Sequence, residues 1–371
     1  MLNSLRLRLS GVVAGLPPTY WFLWLGTLIN RLGGFVTPFL TLYLTDQRGI
    51  SVSQAAFMVS LFGAGSFIAS LVGGELADRL GRRPVLLLSF LLAPVNMLLL
   101  GLARSVELIT LLTLLQGFFT DLYRPGVNAA VADLVPPAGR ARAYGYIYWA
   151  INLGAAFAPA LAGLMARWNY FWLFAGDALT TFLFGLVVLW GVRETRPEAA
   201  RPSASRVMLR ERLAVMRREP LLLAFAGLAL VFGTIYAQSV VTLPVDMQAH
   251  GMRPDQYGLA IAGNGALVVL LGIPASHVVS RWPRFWTMAA AALFLGIGFG
   301  MTAVSTTLAL YALSVAVWTV GEILGAVIAP VVVADLAPVE LRGLYQGVYG
   351  SAVGLSHFSG PVIGGWVLGH L

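Results

Sequence analysis

The 371-residue chain contains no cysteine and no lysine. The first absence excludes disulfides and thiolate metal sites. The second excludes Schiff-base chemistry and a phosphate-binding Gly-x-x-x-x-Gly-Lys loop, so ATP hydrolysis of that kind is not expected. The four histidines, His250, His277, His357 and His370, are scattered without metal-ligand spacing. No cofactor, no metal and no enzymatic nucleophile–base pair is therefore expected. Charge is scarce as well: 11% of residues are charged, against about 25% in an average soluble domain.

Apolar residues fill the space. They make up 58% of the chain, and the mean hydropathy is +0.81. No soluble protein of this size could bury so much apolar surface, so the class is an all-α polytopic membrane protein. The formal charge is +8 and all 24 basic residues are arginine. These arginines lie in loops beside apolar stretches, which argues for lipid contact and topology rather than nucleic acid.

A bilayer core of about 30 Å requires roughly 20 apolar residues in a helix. Candidate spans are 19–45, 52–77, 84–103, 107–134, 141–167, 169–191, 220–248, 255–280, 285–303, 306–335 and 341–369. Residues 1–18 read as a basic cytoplasmic lead-in. Residues 192–219 hold eight arginines and read as a cytoplasmic linker between two halves, 19–191 and 220–371.

A constant offset of 202 relates the halves. Val131-Ala132-Asp133-Leu134 falls on Val333-Ala334-Asp335-Leu336, Gly63 on Gly265, Arg79 and Arg82 on Arg281 and Arg284, Pro159 on Pro361, and Gly163 on Gly365. This implies two pseudo-symmetric six-helix bundles. The sixth span should recur near 371–393, so a twelfth helix is expected beyond Leu371. With the N-terminus in the cytoplasm, one face collects Arg6, Arg8, the 79–83 turn, Arg140, Arg142, the linker, Arg281, Arg284 and Arg342. The other keeps Arg48, Arg104, Arg167 and Arg253. That asymmetry sets the expected orientation, N-terminus inside, in a cell (inner) membrane.

Between the second and third spans sits the stretch Gly74-Glu75-Leu76-Ala77-Asp78-Arg79-Leu80-Gly81-Arg82-Arg83, with five charges from Glu75 to Arg83. Gly74 allows a close helix approach and Gly81 a turn. Asp78 can accept hydrogen bonds at another helix N-terminus, and Arg82 can pair with Asp133. This stretch resembles the signature loop of the major facilitator superfamily nearly residue for residue. The resemblance implies two bundles around a central site. It also implies that Gly74, Asp78, Arg79, Gly81, Arg82, Arg83 and Asp133 form a cytoplasmic gate, with Asp78 meeting the eleventh helix near Glu340 and Leu341. In the second half Ser280 takes the place of Asp78, so the gate is expected to be asymmetric.

The fifth span carries Gly145, Gly154, Pro159 and Gly163, with Ala158 and Ala162 where the superfamily's antiporter signature has glycines. The eleventh carries Gly360-Pro361-Val362-Ile363-Gly364-Gly365. These stretches resemble that signature of drug–proton exporters, and equally suit close helix packing.

Charges inside spans are costly and mark pathways or partners. They are Arg31, Asp121, Arg124, Asp177 and Glu322. Asp121 and Arg124 share a face that Asn128 continues. Arg31 is expected to approach Asp121. Asp121 is the first choice for the proton carrier and Glu322 the second, with Arg31 and Arg124 as modulators. Asp177 lies near a helix end and is expected to bond there. Asn30, Asn128, Tyr148, Asn152, Tyr236, Gln238, Asn264 and Tyr349 are the candidate cavity residues. The reading is a monomeric, proton-coupled exporter of drug-like or amphipathic small molecules. A transporter of a metabolite such as a sugar, peptide or lipid precursor is the alternative, and a non-transporting receptor or scaffold is the weaker rival.

Overall fold

The computed structural model describes residues 16–195, 219–336 and 342–370. The N-terminal lead-in, most of the arginine-rich linker and the expected start of the eleventh helix at Glu340 and Leu341 lie outside them. So do the side chains of Asp78, Arg140, Arg142, His277 and Arg342.

Eleven helical spans follow in order among the described residues. They are α1 (Pro18–Leu32 and Val36–Leu42), α2 (Val52–Leu80), α3 (Arg82–Leu102), α4 (Val106–Asp121 and Tyr123–Leu134), α5 (Pro137–Trp168) and α6 (Phe171–Gly191), then α7 (Pro220–Tyr236 and Thr242–Ala249), α8 (Pro254–Arg281), α9 (Arg284–Thr302), α10 (Leu308–Leu336) and α11 (Arg342–Leu368). By length and composition eight of them can cross a bilayer, fewer than the eleven expected. The remaining three are α1, α8 and α11.

The breaks follow from the backbone. In α1, Gly33 and Gly34 interrupt the helix, and the freed amide of Val36 donates to Asp177 Oδ2 at 3.3 Å. In α4, Pro125 supplies no N–H to the carbonyl of Asp121, and the helix breaks at Leu122. In α7, Pro244 likewise leaves the Val240 carbonyl free. Thr41 of the first half fills it, its hydroxyl donating at 3.0 Å.

The halves meet through contacts that repeat at the same offset as the sequence. Gly63 of α2 lies against the His357 carbonyl of α11, and Gly265 of α8 lies against the Ala155 carbonyl of α5. A Cβ at either glycine would collide with backbone. Both carbonyls stand four residues before a proline, Pro361 and Pro159, and so lack their helical donor. Gly365 packs on Ala56 and Ser53, and Gly163 packs on Pro254 and Asp255. Gly63–His357 maps onto Gly265–Ala155, and Gly163–Asp255 onto Gly365–Ser53, by 202 residues.

These contacts all lie between the helix centres and the arginine-poor face. There Ser53 Oγ donates to the Gly365 carbonyl at 2.9 Å, Gln248 Nε2 to Asp46 Oδ1 at 2.6 Å, and Arg167 pairs with Asp255 at 3.9 Å. Toward the arginine-rich face the same helix surfaces separate. Gly74, Gly145, Gly272 and Gly350 are in helical phase with the contacting positions Gly63, Gly163, Gly265 and His357. No described atom lies within 4 Å of a Cβ built on any of the four. Among the described residues no close approach is seen at Gly74 or Gly145, while the halves meet closely toward the other face.

Gly74→Leu and Gly145→Leu should fold normally yet obstruct closure of the arginine-rich face. Because the chain has no cysteine, Tyr148→Cys gives a single reporter on α5. A polar maleimide should label this cysteine faster in both glycine variants than in the parent. Equal labelling rates would contradict the assignment of these surfaces to closure.

Candidate functional site

Interior polar residues gather in two groups, one in each half. In the first half, Arg124 Nε pairs with Asp121 Oδ1 at 2.7 Å, as the three-residue spacing requires. Ser66 of α2 donates to the other carboxylate oxygen. The Asp121 side chain is almost fully enclosed, while that of Arg124 is 49% exposed. Arg31 does not reach Asp121 as expected. Its Nη2 donates to the Tyr123 hydroxyl at 2.9 Å, and its Nε has no hydrogen-bond partner. Two residues apart on α4, Tyr123 and Asp121 point to nearly opposite sides of the helix, so Arg31 meets one and not the other.

Asp177 bonds a helix end, as expected, and the end is the broken one of α1. Asn30, one residue before Arg31, donates to Thr181 Oγ1 at 2.9 Å. It is buried between α1 and α6 and lines no cavity, contrary to expectation. α6 therefore splints the break in α1.

In the second half Glu322 is the centre. The Tyr236 hydroxyl donates to its Oε1 at 2.9 Å and Asn264 Nδ2 to its Oε2 at 2.6 Å. Asn264 also donates to Thr319 at 2.9 Å. The Tyr236 ring meets Trp318 edge-on with centroids 5.7 Å apart. No cation among the described residues lies in ion-pair range of Glu322. Two candidate cavity residues thus converge on one carboxylate. Gln238 does not join them: its Nε2 donates to the Thr234 and Gly360 carbonyls, each at 2.9 Å, and it serves the packing of α7 on α11. Asn152 donates to the Tyr148 carbonyl of its own helix at 2.8 Å, and the Asn128 carbonyl accepts from Tyr144 at 2.9 Å. Tyr148 is exposed, and Tyr349 packs on Phe225. The antiporter-like positions are taken up by packing: Gly154 lies against Arg31, and Gly360 and Gly364 lie against α7.

At the arginine-rich face, Gly81 has φ +105° and makes the turn, as expected. Arg82 Nε pairs with Asp133 Oδ2 at 3.3 Å. This bond ties α3 to the end of α4 inside the first half. It does not bridge the halves, so it is not itself a gate contact. Arg284 and Asp335 form the same pair in the second half at 2.5 Å. This ion pair is therefore symmetric, while the expected asymmetry of Asp78 against Ser280 falls on side chains outside the described ones. Arg79 pairs with Glu75 one turn away at 2.5 Å. Arg83 Nη2 caps the end of α6 by donating to the Leu189 carbonyl at 2.8 Å.

Sequence reasoning missed three residues. Glu194 accepts from the amides of Arg82 and Arg83 at 2.9 and 3.2 Å, an acid on the N-terminus of α3. Its signal was an acid in the first polar residues after the sixth span. Tyr123 was overlooked between Asp121 and Arg124, although a hydroxyl between two interior charges is itself a signal. Ser66 gave none. Among the described residues no group of His, Asp and Glu is placed to hold a metal.

The family described as Major Facilitator Superfamily matches residues 23–361. An MFS-type transporter of Bacillus subtilis (strain 168), YqjV, is 27% identical over 95% of this chain and 86% of its own length. A Na(+), Li(+), K(+)/H(+) antiporter of Planococcus maritimus is 22% identical over 85% and 81%. The quinolone resistance protein NorA of Staphylococcus aureus (strain MRSA252) is 24% identical over 65% and 61%. Among solved structures, the nucleoside transporter NupG superposes with a TM-score of 0.84 at 14% identity, covering 94% of this chain and 91% of that one.

The two symmetric ion pairs differ in burial, and burial decides their worth. Side-chain exposure is 11% and 18% for Arg82 and Asp133, but 57% and 47% for Arg284 and Asp335. Asp133→Ala should cost about 1–3 kcal/mol, as for a buried charge-assisted bond, and Asp335→Ala under about 1 kcal/mol. Thermal unfolding of the purified variants measures the difference. Equal losses would contradict the ranking.

Proposed function

Because the chain belongs to the Major Facilitator Superfamily and is a membrane transporter, we propose that it exports drug-like or amphipathic small molecules in exchange for protons. The arginine-rich face is the cytoplasmic one by the positive-inside rule, with the N-terminus on that side of the cell membrane. The conformation described is then inward-open. Two bundles, 19–191 and 220–371, rock about the centre as a monomer, joined by the 192–219 linker, and give alternating access.

One observation carries the coupling: Glu322 sits inside α10 with two neutral donors and no described cation partner. Such a carboxylate either carries a proton or leaves an unpaired charge in the membrane interior. A proton taken from one side and released to the other changes that cost, and so can drive a conformational step. Asp121 is less suited to the task, because the Arg124 guanidinium balances its charge within the same half whether the halves move or not. The similarity to a cation/H(+) antiporter and to a quinolone resistance protein supports exchange and drug-like cargo.

Glu322→Gln keeps the shape and hydrogen bonds of a protonated carboxyl. In proteoliposomes it should lose pH-gradient-driven export while still binding cargo. Asp121→Asn should retain part of the export. Normal export by the Glu322→Gln protein would refute Glu322 as the coupling group.

A further inference from the structure

We infer that Arg31, Arg124 and Tyr123 form an anion-binding subsite, so that the cargo is an amphipathic acid held by its carboxylate. This rests on the export reading and adds the chemical class of what is exported.

Arg31 is unusual among the interior charges. Its Cβ and backbone are pressed against Gly154 of α5, which directs the side chain across the half toward α4. There it finds one neutral oxygen, the Tyr123 hydroxyl, at 2.9 Å. Its Nε is buried without a hydrogen-bond partner, and no described carboxylate lies in ion-pair range. Arg124 follows Tyr123 directly in α4, and its side chain is half exposed. One guanidinium thus bonds the phenolic oxygen and a second stands at the neighbouring residue. Each offers five N–H donors, and the fixed acceptors around them are that oxygen and Asp121.

The acids nearby leave this surplus standing. Asp121 takes one edge of Arg124, and the other side of that guanidinium is open. Asp177, the next acid, interacts with Arg31 through space, but its hydrogen bonds come from the backbone of the α1 break, at Val36 and Phe35, and from Thr181. Arg31 therefore keeps unused N–H donors although the charges balance. A carboxylate matches the planar donor edges of two guanidiniums. Tyr123 completes the cradle: its oxygen accepts from arginine, which frees its own O–H to donate to the acid. The site is one-sided, since Arg31 and Arg124 fall on Gly233 and Ala326 in the second half.

The test is an equilibrium binding measurement on the purified full chain in detergent, without a proton gradient. The probes are matched pairs of aromatic acids and their methyl esters, norfloxacin and its ester among them, read by thermal stabilisation. The acids should bind the parent about tenfold tighter than their esters, the size of one charge-assisted contact. Arg31→Gln and Arg124→Gln should each erase most of that preference and leave ester binding unchanged, which also reports that the variants are folded. Tyr123→Phe should weaken it less. Acids that bind no better than esters, or a preference that survives in both arginine variants, would overturn the subsite. pH-driven export without an acid preference refutes the subsite alone. An acid preference in a chain that exports nothing against a gradient refutes the export reading alone.

Discussion

Backbone pressed on backbone, glycine against a proline-freed carbonyl, holds the two halves together. It occurs twice, at Gly63 on His357 and at Gly265 on Ala155, related by the internal repeat. No side chain fits between, so α2 packs directly on α11, and α5 on α8. Because both pairs sit near the centre, closing one face of the molecule opens the other. The contacts at Gly163 and Gly365 close the arginine-poor face, and no described atom stands against Gly74, Gly145, Gly272 or Gly350 toward the arginine-rich face. Glycines on both sides of the pivot, in phase with it, are what a rocking pair of bundles requires.

The interior charges obey a different logic from the interface. The interface is symmetric, and so are the ion pairs at the arginine-rich face. The interior is not. The first half holds arginines and a satisfied aspartate around Tyr123, while the second holds one carboxylate among neutral donors. Neither arrangement has a counterpart at the repeated positions: Glu322 falls opposite Thr120, and Asp121 opposite Ile323. Duplication supplied the scaffold, and divergence of these few residues gave each half its own chemistry. Motion is thus shared between the halves, and the chemistry is divided between them.

Much of this was legible in the sequence because it depends on local pattern. Hydropathy placed the spans, the offset of 202 placed the symmetric contacts, and the three-residue spacing placed Asp121 beside Arg124. The turn at Gly81 and the pair Arg82–Asp133 followed from a recognisable stretch. What escaped depends on how helices are rotated and broken. Arg31 meets Tyr123 rather than Asp121, which depends on how α1 is rotated against α4. Asn30 and Gln238 read as cavity residues by type, yet each lies on a packed seam between helices. Glu194 acts on amides more than a hundred residues earlier, which only the folded α3–α6 pair brings within reach.

The most direct test measures both faces at once. Spin labels on engineered cysteines at Leu80 and Trp282 report the arginine-rich face, and labels at Arg104 and Thr306 the opposite one, each pair being equivalent positions of the two halves. Pulsed dipolar distances would be recorded for the parent across a pH series and for Glu322→Gln. If the halves rock about the central glycines under control of Glu322, one distance shortens as the other lengthens with pH, and Glu322→Gln holds one of the two states throughout. Distances that move in the same direction, or a variant that still responds to pH as the parent does, would contradict that mechanism.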